Sequence, residues 1–345
     1  MFKFTARVPA QESNYPIIIG HGAISELENI LDSLQPIDSV VILFDEHVRE
    51  LAKKVNEIVE AKEMVSVTPG EHSKTIEEVK RISQKLLEIG MNRNSLLINV
   101  GGGMITDLAG FVASIYMRGI RCIHVPTTLL CMTDAAIGGK TGVDLGEAKN
   151  IIGHYHHPSA VIEDISFLTS LPQKHLQDGV VEVIKIATML DKQFFSFLED
   201  NLEKILNHDP ETLEQCIRHA VELKVSVIEK DEKDSSTRLF LNFGHTVGHA
   251  LEAASSFSIT HGEAVGIGMI AEMKIANSPD IERVQNLLER TGVSTAIPKE
   301  FSSETLIQLM QNDKKNISND IRMTVPKMLG EGEIRDFDPS TLNVQ

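Results

Sequence analysis

Three short apolar runs in the first hundred residues, VVILF (40–44), MVSV (64–67) and LLINV (96–100), constrain the fold more than any other feature. Between them, Val48, Leu51, Val55 and Val59 recur at helical spacing, as do Ile76, Val79, Ile82, Leu86 and Leu87, with Gly90 as a stop signal. Strand, helix, strand, helix, strand is the pattern of a parallel sheet. Sheets of that kind bind ligands where strands end and loops begin.

The second half changes character. Helical periodicity recurs over 173–190, 192–206, 211–230, 245–255, 262–276, 280–292 and 303–312, and only IRMTVP, from residue 321, again reads as extended. The alternation stops at SLPQK (170–174), where Pro172 marks a helix start, so two domains are expected, 1–172 and 173–345. A cleft between them is the expected small-molecule site. The N-terminal MFKFTARVPAQESNYPIIIG alternates like a strand and lacks a basic segment followed by an apolar run, which argues against a secretory signal. No apolar run approaches the length of a membrane span. Cys122, Cys131 and Cys216 are scattered, which fits unpaired thiols in a reducing cytoplasm. A net charge of −16 opposes binding to nucleic acid, while a local gathering of basic residues would still admit a small anion.

Several stretches carry chemistry. NVGGGMITDLAG (99–110) follows a strand and opens a helix; its glycines suit either close approach to a pyrophosphate or tight strand–helix packing. DAAIGGKTGVDLGEAKN (134–150) ends its GGKT like a P-loop, but Asp134 occupies the position of the first P-loop glycine, which excludes that motif. What remains is a glycine-rich loop whose Lys140 and Lys149 either meet a phosphate or are simply solvated. In GVVEVIKIATML (179–190), Glu182 and Lys185 share one helical face among apolar neighbours; an intrahelical ion pair and a metal-bound carboxylate both satisfy them. His245 and His249 share a face by their spacing, and His261 precedes an amphipathic helix; metal binding and a packing or capping role stay open. Thr246 stands where a zinc protease needs glutamate. GHYHHP (153–158) offers His154, His156 and His157 without a spacing that would converge them.

Taken together these stretches resemble the 3-dehydroquinate synthase family of sugar-phosphate cyclases. The resemblance runs from PGEHSK (69–74) through GGGMITDLAG, YMRG (116–119), VPTTLL (125–130), GGKTGV, KNIIG, EVIK, LNFGHTVGHALE and HGEAV to DKK (313–315). It implies an α/β N-terminal domain with a Rossmann-like parallel sheet that binds NAD. It also implies a mostly α-helical, metal-binding C-terminal domain and a homodimer. The divalent metal, zinc or cobalt in its place, would be held by Glu182, His245 and His261. His249 is assigned to the substrate phosphate and, with Lys185, Lys224 and Asp134, to the catalytic set. NAD would meet Asp45, Glu71, Lys74, Gly102, Gly103, Asp107, Thr127, Thr128, Lys140, Lys149 and the segment Phe167, Leu168, Thr169, Ser170. Substrate contacts are implied for Arg118, reaching across the dimer, and for Lys140, Asn150, Arg238, Asn242, Lys314 and Lys315.

The implied reaction converts 3-deoxy-D-arabino-heptulosonate 7-phosphate to 3-dehydroquinate and inorganic phosphate, by transient oxidation with bound NAD, elimination, re-reduction and aldol closure. That is a lyase of the shikimate pathway, leading to chorismate and the aromatic amino acids. Thr106, Asp144 and Ser170 depart from the residues the family commonly has; the first two are expected to disturb cofactor contacts. Aminodehydroquinate, 2-deoxy-scyllo-inosose and valiolone-type synthases are the rival cyclases, and a metal-dependent polyol dehydrogenase is the rival from another class. A binding module without catalysis is disfavoured by the complete ligand set. The guanidinium of Arg238, suited to a carboxylate, favours the dehydroquinate route.

Overall fold

The computed structural model describes residues 14–146, 148–256, 258–311 and 320–344. The extended reading of residues 1–13 and the two lysines Lys314 and Lys315 lie outside them. The three apolar runs become neighbouring strands β2 (Val40–Asp45), β3 (Glu63–Val67) and β4 (Leu96–Gly101), preceded by β1 (Ile17–Gly20). With β5 (Arg121–Pro126) and, further on, β8 (Ala160–Asp164) they form one parallel six-stranded sheet in the order β1-β8-β5-β4-β2-β3.

The helices of this half are α1 (Leu27–Ser33), α2 (Arg49–Val59), α3 (Ile76–Ile89) and α4 (Gly103–Ile115). The period of two sorts the sheet's side chains between two layers. Val41, Leu43 and Leu97 pack with residues of α3 and α4, whereas Ile42, Phe44, Leu96 and Ile98 pack with residues of α1 and α2. β4 is buried at every position, as a strand covered on both faces must be. Of the expected helical stripe, Leu87 is 62% exposed and Ile76 38%. Leu87 lies about 100° around the helix from the buried Leu86, off the face that meets the sheet.

The glycine-rich loop expected over 134–150 is a correction. Its residues form a turn of π-helix (Cys131–Ala135) and most of an antiparallel hairpin, β6 (Lys140–Leu145) with β7 (Ala148–Tyr155). The hairpin lies against α4, where Gly110 is close to Thr141 and lets the two approach.

The helical half comprises α5 (Gln173–Leu190), α6 (Lys192–Leu206), α7 (Pro210–Ile228), α8 (His245–Ala254), α9 (His261–Ala276), α10 (Ile281–Arg290) and α11 (Ser303–Gln311). α5 is its central helix, buried without a break from Asp178 to Met189. IRMTVP lies in β9 (Ile321–Met328), paired antiparallel with β10 (Glu331–Phe337). The charged alternation of EGEIRDF hid β10 from a reading based on apolar runs. No helix among the described residues is long and apolar enough to cross a membrane.

β5 buries His124, whose Nδ1 is 3.1 Å from Asn99 Nδ2 on β4. Burial, with His156 adding repulsion, pushes its pKa from 6.5 down to about 3. The unfolded chain binds this proton below about pH 6.5 and the folded chain does not, so stability is full above that pH and is lost as pH falls toward 3. A loss on the order of 3 kcal/mol between pH 6.5 and 4 is expected from this group at about 1.4 kcal/mol per unit. Urea denaturation of His124→Gln should show a shallower acid slope than the parent; equal slopes would exclude His124 as the source.

Candidate functional site

The strand order reverses between β2 and β4: β2 leads to β3 on one side, and β4 leads to β5 on the other. A crevice at the carboxyl ends is expected at such a point. Asp45 ends β2, and Gly102 and Gly103 follow β4. Glu71 and Lys74 follow β3, Thr127 and Thr128 follow β5, and Phe167 to Ser170 follow β8. Every candidate dinucleotide contact outside the hairpin and α4 is therefore at a strand's carboxyl end. Lys74 is buried and pairs with Asp107 at 2.6 Å and Glu71 at 3.4 Å. Burial opposes its charge, but Asp107 and Glu71 outweigh it and raise its pKa. Among the described residues the buried Thr127 Oγ1 finds no hydrogen-bond partner.

The two departures in this region have local roles. Thr106 directs its hydroxyl to Gly103 O at 3.0 Å and toward Cys131 Sγ at 3.5 Å. Asp144 Oδ1 accepts from Asn150 N at 2.7 Å, holding the hairpin where Asn150 adopts a φ of 54°.

The histidines meet because two helices touch through glycine. Gly244, at φ 77°, turns the chain into α8, and an added Cβ on Gly268 of α9 would lie 2.0 Å from Gly244 O. Nothing larger than glycine fits at that crossing. Glu272, buried on α9, accepts from Gly244 N at 2.8 Å and Val247 N at 3.0 Å, so it satisfies amide donors at the start of α8. This clamp brings the rings of His245 and His249 on α8 within 5.3 and 6.2 Å, respectively, of the His261 ring at the start of α9.

Glu182 enters from α5, 1% exposed, with Oε1 3.4 Å from His261 Nε2 and 3.9 Å from His245 Nε2. Neither of its oxygens has a well-directed hydrogen bond. His245 Nδ1 is 3.1 Å from Phe243 O; a carbonyl can only accept, so Nδ1 carries the hydrogen and Nε2 presents its lone pair toward Glu182. Burial works against charge on His261, yet Glu182 and Glu252 outweigh it and push its pKa up to about 10. The pocket thus favours a positive charge between these groups. Two imidazoles and a carboxylate from three helices form a donor set suited to zinc or a similar ion with positions left open. A second cluster, His249, Glu252 and His261, shares one ring with the first. Among the described residues, His154, His156 and His157 do not converge; His156 Nε2 is 3.0 Å from Ile120 O, and His157 Nε2 is 3.0 Å from Glu232.

Next to this cluster lies a group of cations. Lys185 forms an ion pair with Glu182 and stands 3.1 Å from Asp134, whose other oxygen takes Lys224. Burial resists the Asp134 charge, but Lys185 and Lys224 hold its pKa well below the usual carboxylate range. Lys140 pairs with Asp234 at 2.5 Å; its pKa is pulled down to about 8 by desolvation, with Arg238 and Lys224 adding repulsion. Arg238 is buried and donates to Gly138 O at 3.0 Å and to Glu232 O. No carboxylate among the described residues forms an ion pair with it. The buried Asn242 Nδ2 also finds no hydrogen-bond partner among the described residues. Lys140, Lys224 and Arg238 lie near enough to repel one another's charge, which suits an anionic ligand.

Arg118 stands apart from these groups, exposed after α4 at a φ of 67° beside the exposed Ile115 and Met117. Sequence reasoning missed Glu252 and Glu272. The signal for Glu272 was a lone acid in the apolar helix after His261, and for Glu252 a carboxylate three residues beyond His249.

Comparison with known proteins identifies a family. Residues 64–178 match a family model described as 3-dehydroquinate synthase N-terminal, and residues 179–316 match 3-dehydroquinate synthase C-terminal. A 3-dehydroquinate synthase of Dictyoglomus thermophilum is 41% identical over 338 residues, covering 95% of this chain and 93% of that one. A 2-deoxy-scyllo-inosose synthase, solved with carbaglucose-6-phosphate, NAD+ and Co2+, superposes with a TM-score of 0.85 at 27% identity, covering 94% of each chain. A 2-epi-5-epi-valiolone synthase from Streptomyces hygroscopicus, solved with NAD+ and Zn2+, gives a TM-score of 0.85 at 25% identity, covering 96% of this chain and 95% of that one.

Proposed function

The chain belongs to the 3-dehydroquinate synthase family, and from that premise we propose that Glu182, His245 and His261 seat one divalent cation beside an NAD crevice. The family places it among the lyases of the shikimate pathway. Its substrate is read as 3-deoxy-D-arabino-heptulosonate 7-phosphate and its products as 3-dehydroquinate and phosphate. The observation that carries this reading is the buried Glu182 carboxylate, which faces two imidazoles on one side and the Lys185–Asp134–Lys224 chain on the other. Zinc is the cation we assign, with cobalt as a substitute. The domain division at 172/173, a cytoplasmic location and a homodimer in which Arg118 reaches the partner's site belong to the same reading.

A cation held by Glu182, His245 and His261 would supply Lewis acidity toward a substrate hydroxyl, and NAD in the crevice would supply hydride exchange, chemistry that the side chains themselves lack. The guanidinium of Arg238 binds the substrate carboxylate, since its planar fork matches that group and no carboxylate among the described residues pairs with it. Lys140 and His249 bind the phosphate, with Lys314 or Lys315. Asp134 fixes the ammonium groups of Lys185 and Lys224, keeping their protons beside the reacting ring. Lys185, Lys224 and His249 serve as the proton relay.

The test is direct. With catalytic NAD and Zn2+, the purified protein is expected to release phosphate from the heptulosonate phosphate with no net NADH. Steady NADH accumulation would make it a dehydrogenase. Turnover of glucose 6-phosphate or sedoheptulose 7-phosphate instead would move it to another cyclase.

A further inference from the structure

The seat of Glu182, His245 and His261 leaves Glu252 without a role, although it is 2% exposed and lies inside the cluster. It stands on α8 three residues after His249, on the same helical face. Its Oε1 is 3.2 Å from His261 Nδ1 and accepts from Lys149 Nζ at 2.8 Å; Lys149 is in turn 4.0 Å from Glu71, beyond β3. A carboxylate can only accept, so the facing nitrogen of His261 carries a hydrogen. His261 Nε2 is then the atom turned to Glu182, 3.4 Å away.

We propose that Glu252 is a positioning residue of the metal seat: by holding Nδ1–H of His261 it fixes the ring so that Nε2 faces the cation beside Glu182. This rests on the reading of the seat given above. The alternative, a cation among His249, Glu252 and His261, would have to use Glu252 Oε2, because Oε1 already takes Lys149, and would need His261 Nδ1 to give up the hydrogen it directs at that carboxylate. Lys149 gives Glu252 a second function. Through it, one carboxylate joins the metal-binding half to Glu71, on the side of the sheet's crevice. Outer partners of this type set a ligand's tautomer and orientation, and their loss costs about 10–100-fold in metal affinity.

The experiment measures the Zn2+ affinity of the full chain, free of NAD and substrate, by competition with a chromophoric chelator. The parent is compared with Glu252→Gln, Glu252→Leu and Glu182→Ala, and the visible spectrum of each Co2+-loaded protein is recorded. Glu182→Ala is expected to lose tight binding. Glu252→Leu should bind about 10–100-fold more weakly with a shifted Co2+ band. Glu252→Gln, which keeps an acceptor oxygen for Nδ1–H, should fall between the parent and Glu252→Leu. If Glu252→Leu does not fold, Glu252→Gln decides alone: weakened binding supports the proposal and unchanged binding overturns it. A purely structural Glu252 would lower the melting temperature of the metal-free protein and leave the metal constant of the folded variants untouched. Parental affinity and spectrum in both Glu252 variants would therefore overturn the proposal while Glu182→Ala still defines the seat. Tight binding by Glu182→Ala with none by Glu252→Leu would overturn the seat itself and make Glu252 a ligand.

Discussion

His245→Ala is expected to remove bound metal and turnover together, whereas His249→Ala keeps the metal and loses turnover. The two histidines share α8, with ring centroids 5.2 Å apart, yet their surroundings differ. His245 Nδ1 is tied to Phe243 O, and its Nε2 faces Glu182. His249 instead belongs to the cluster with Glu252. Lewis-acid stabilisation of developing charge contributes several kcal/mol, so losing the ion should lower kcat on the order of a thousandfold or more. Metal content by elemental analysis and kcat from phosphate release separate the two variants. Equal metal loss in both would contradict the division of labour.

The second large effect concerns Asp134. It is the shared counter-ion of Lys185 and Lys224, which are 0% and 3% exposed. Asp134→Ala leaves Lys185 with Glu182 and leaves Lys224 without an ion-pair partner among the described residues. Removing one partner of a buried ion pair costs about 3–5 kcal/mol. The pH dependence has a definite sign. Burial already holds Lys224 below its usual value, and Asp134 with Glu182 holds Lys185 above its own; losing Asp134 lowers both folded pKa values, so relative to the parent the variant gains stability as pH rises. The deficit against the parent, read from denaturant midpoints, should be largest near pH 7 and shrink toward pH 10. A deficit independent of pH would show that lost packing, not stranded charge, is responsible.

How much of this was legible beforehand depended on how local each signal was. VVILF, MVSV and LLINV declare buried parallel strands because apolar content alone carries that information. The Glu182–Lys185 pair was equally local, since three residues of helix place the two side chains together. The hairpin of β6 and β7 was not legible, because glycine, lysine and aspartate fill KTGVDL and the pairing depends on contact with α4. Asp134 could not be matched to its lysines from periodicity, because 51 and 90 residues separate it from them. The roles of Glu252 and Glu272 also depend on tertiary contact, since each binds groups brought in by another element.

The glycine crossing of α8 and α9 bears on which ions the chain tolerates. His245 and His261 ride on two backbones already in direct contact, so the crossing limits how far apart their rings, with centroids 5.3 Å apart, can be drawn. A larger cation would have to wedge the helices apart against Glu272, which grips the start of α8. At the proposed seat, selection by ionic radius is therefore expected to rest in part on main-chain packing, at a distance from the coordinating atoms themselves.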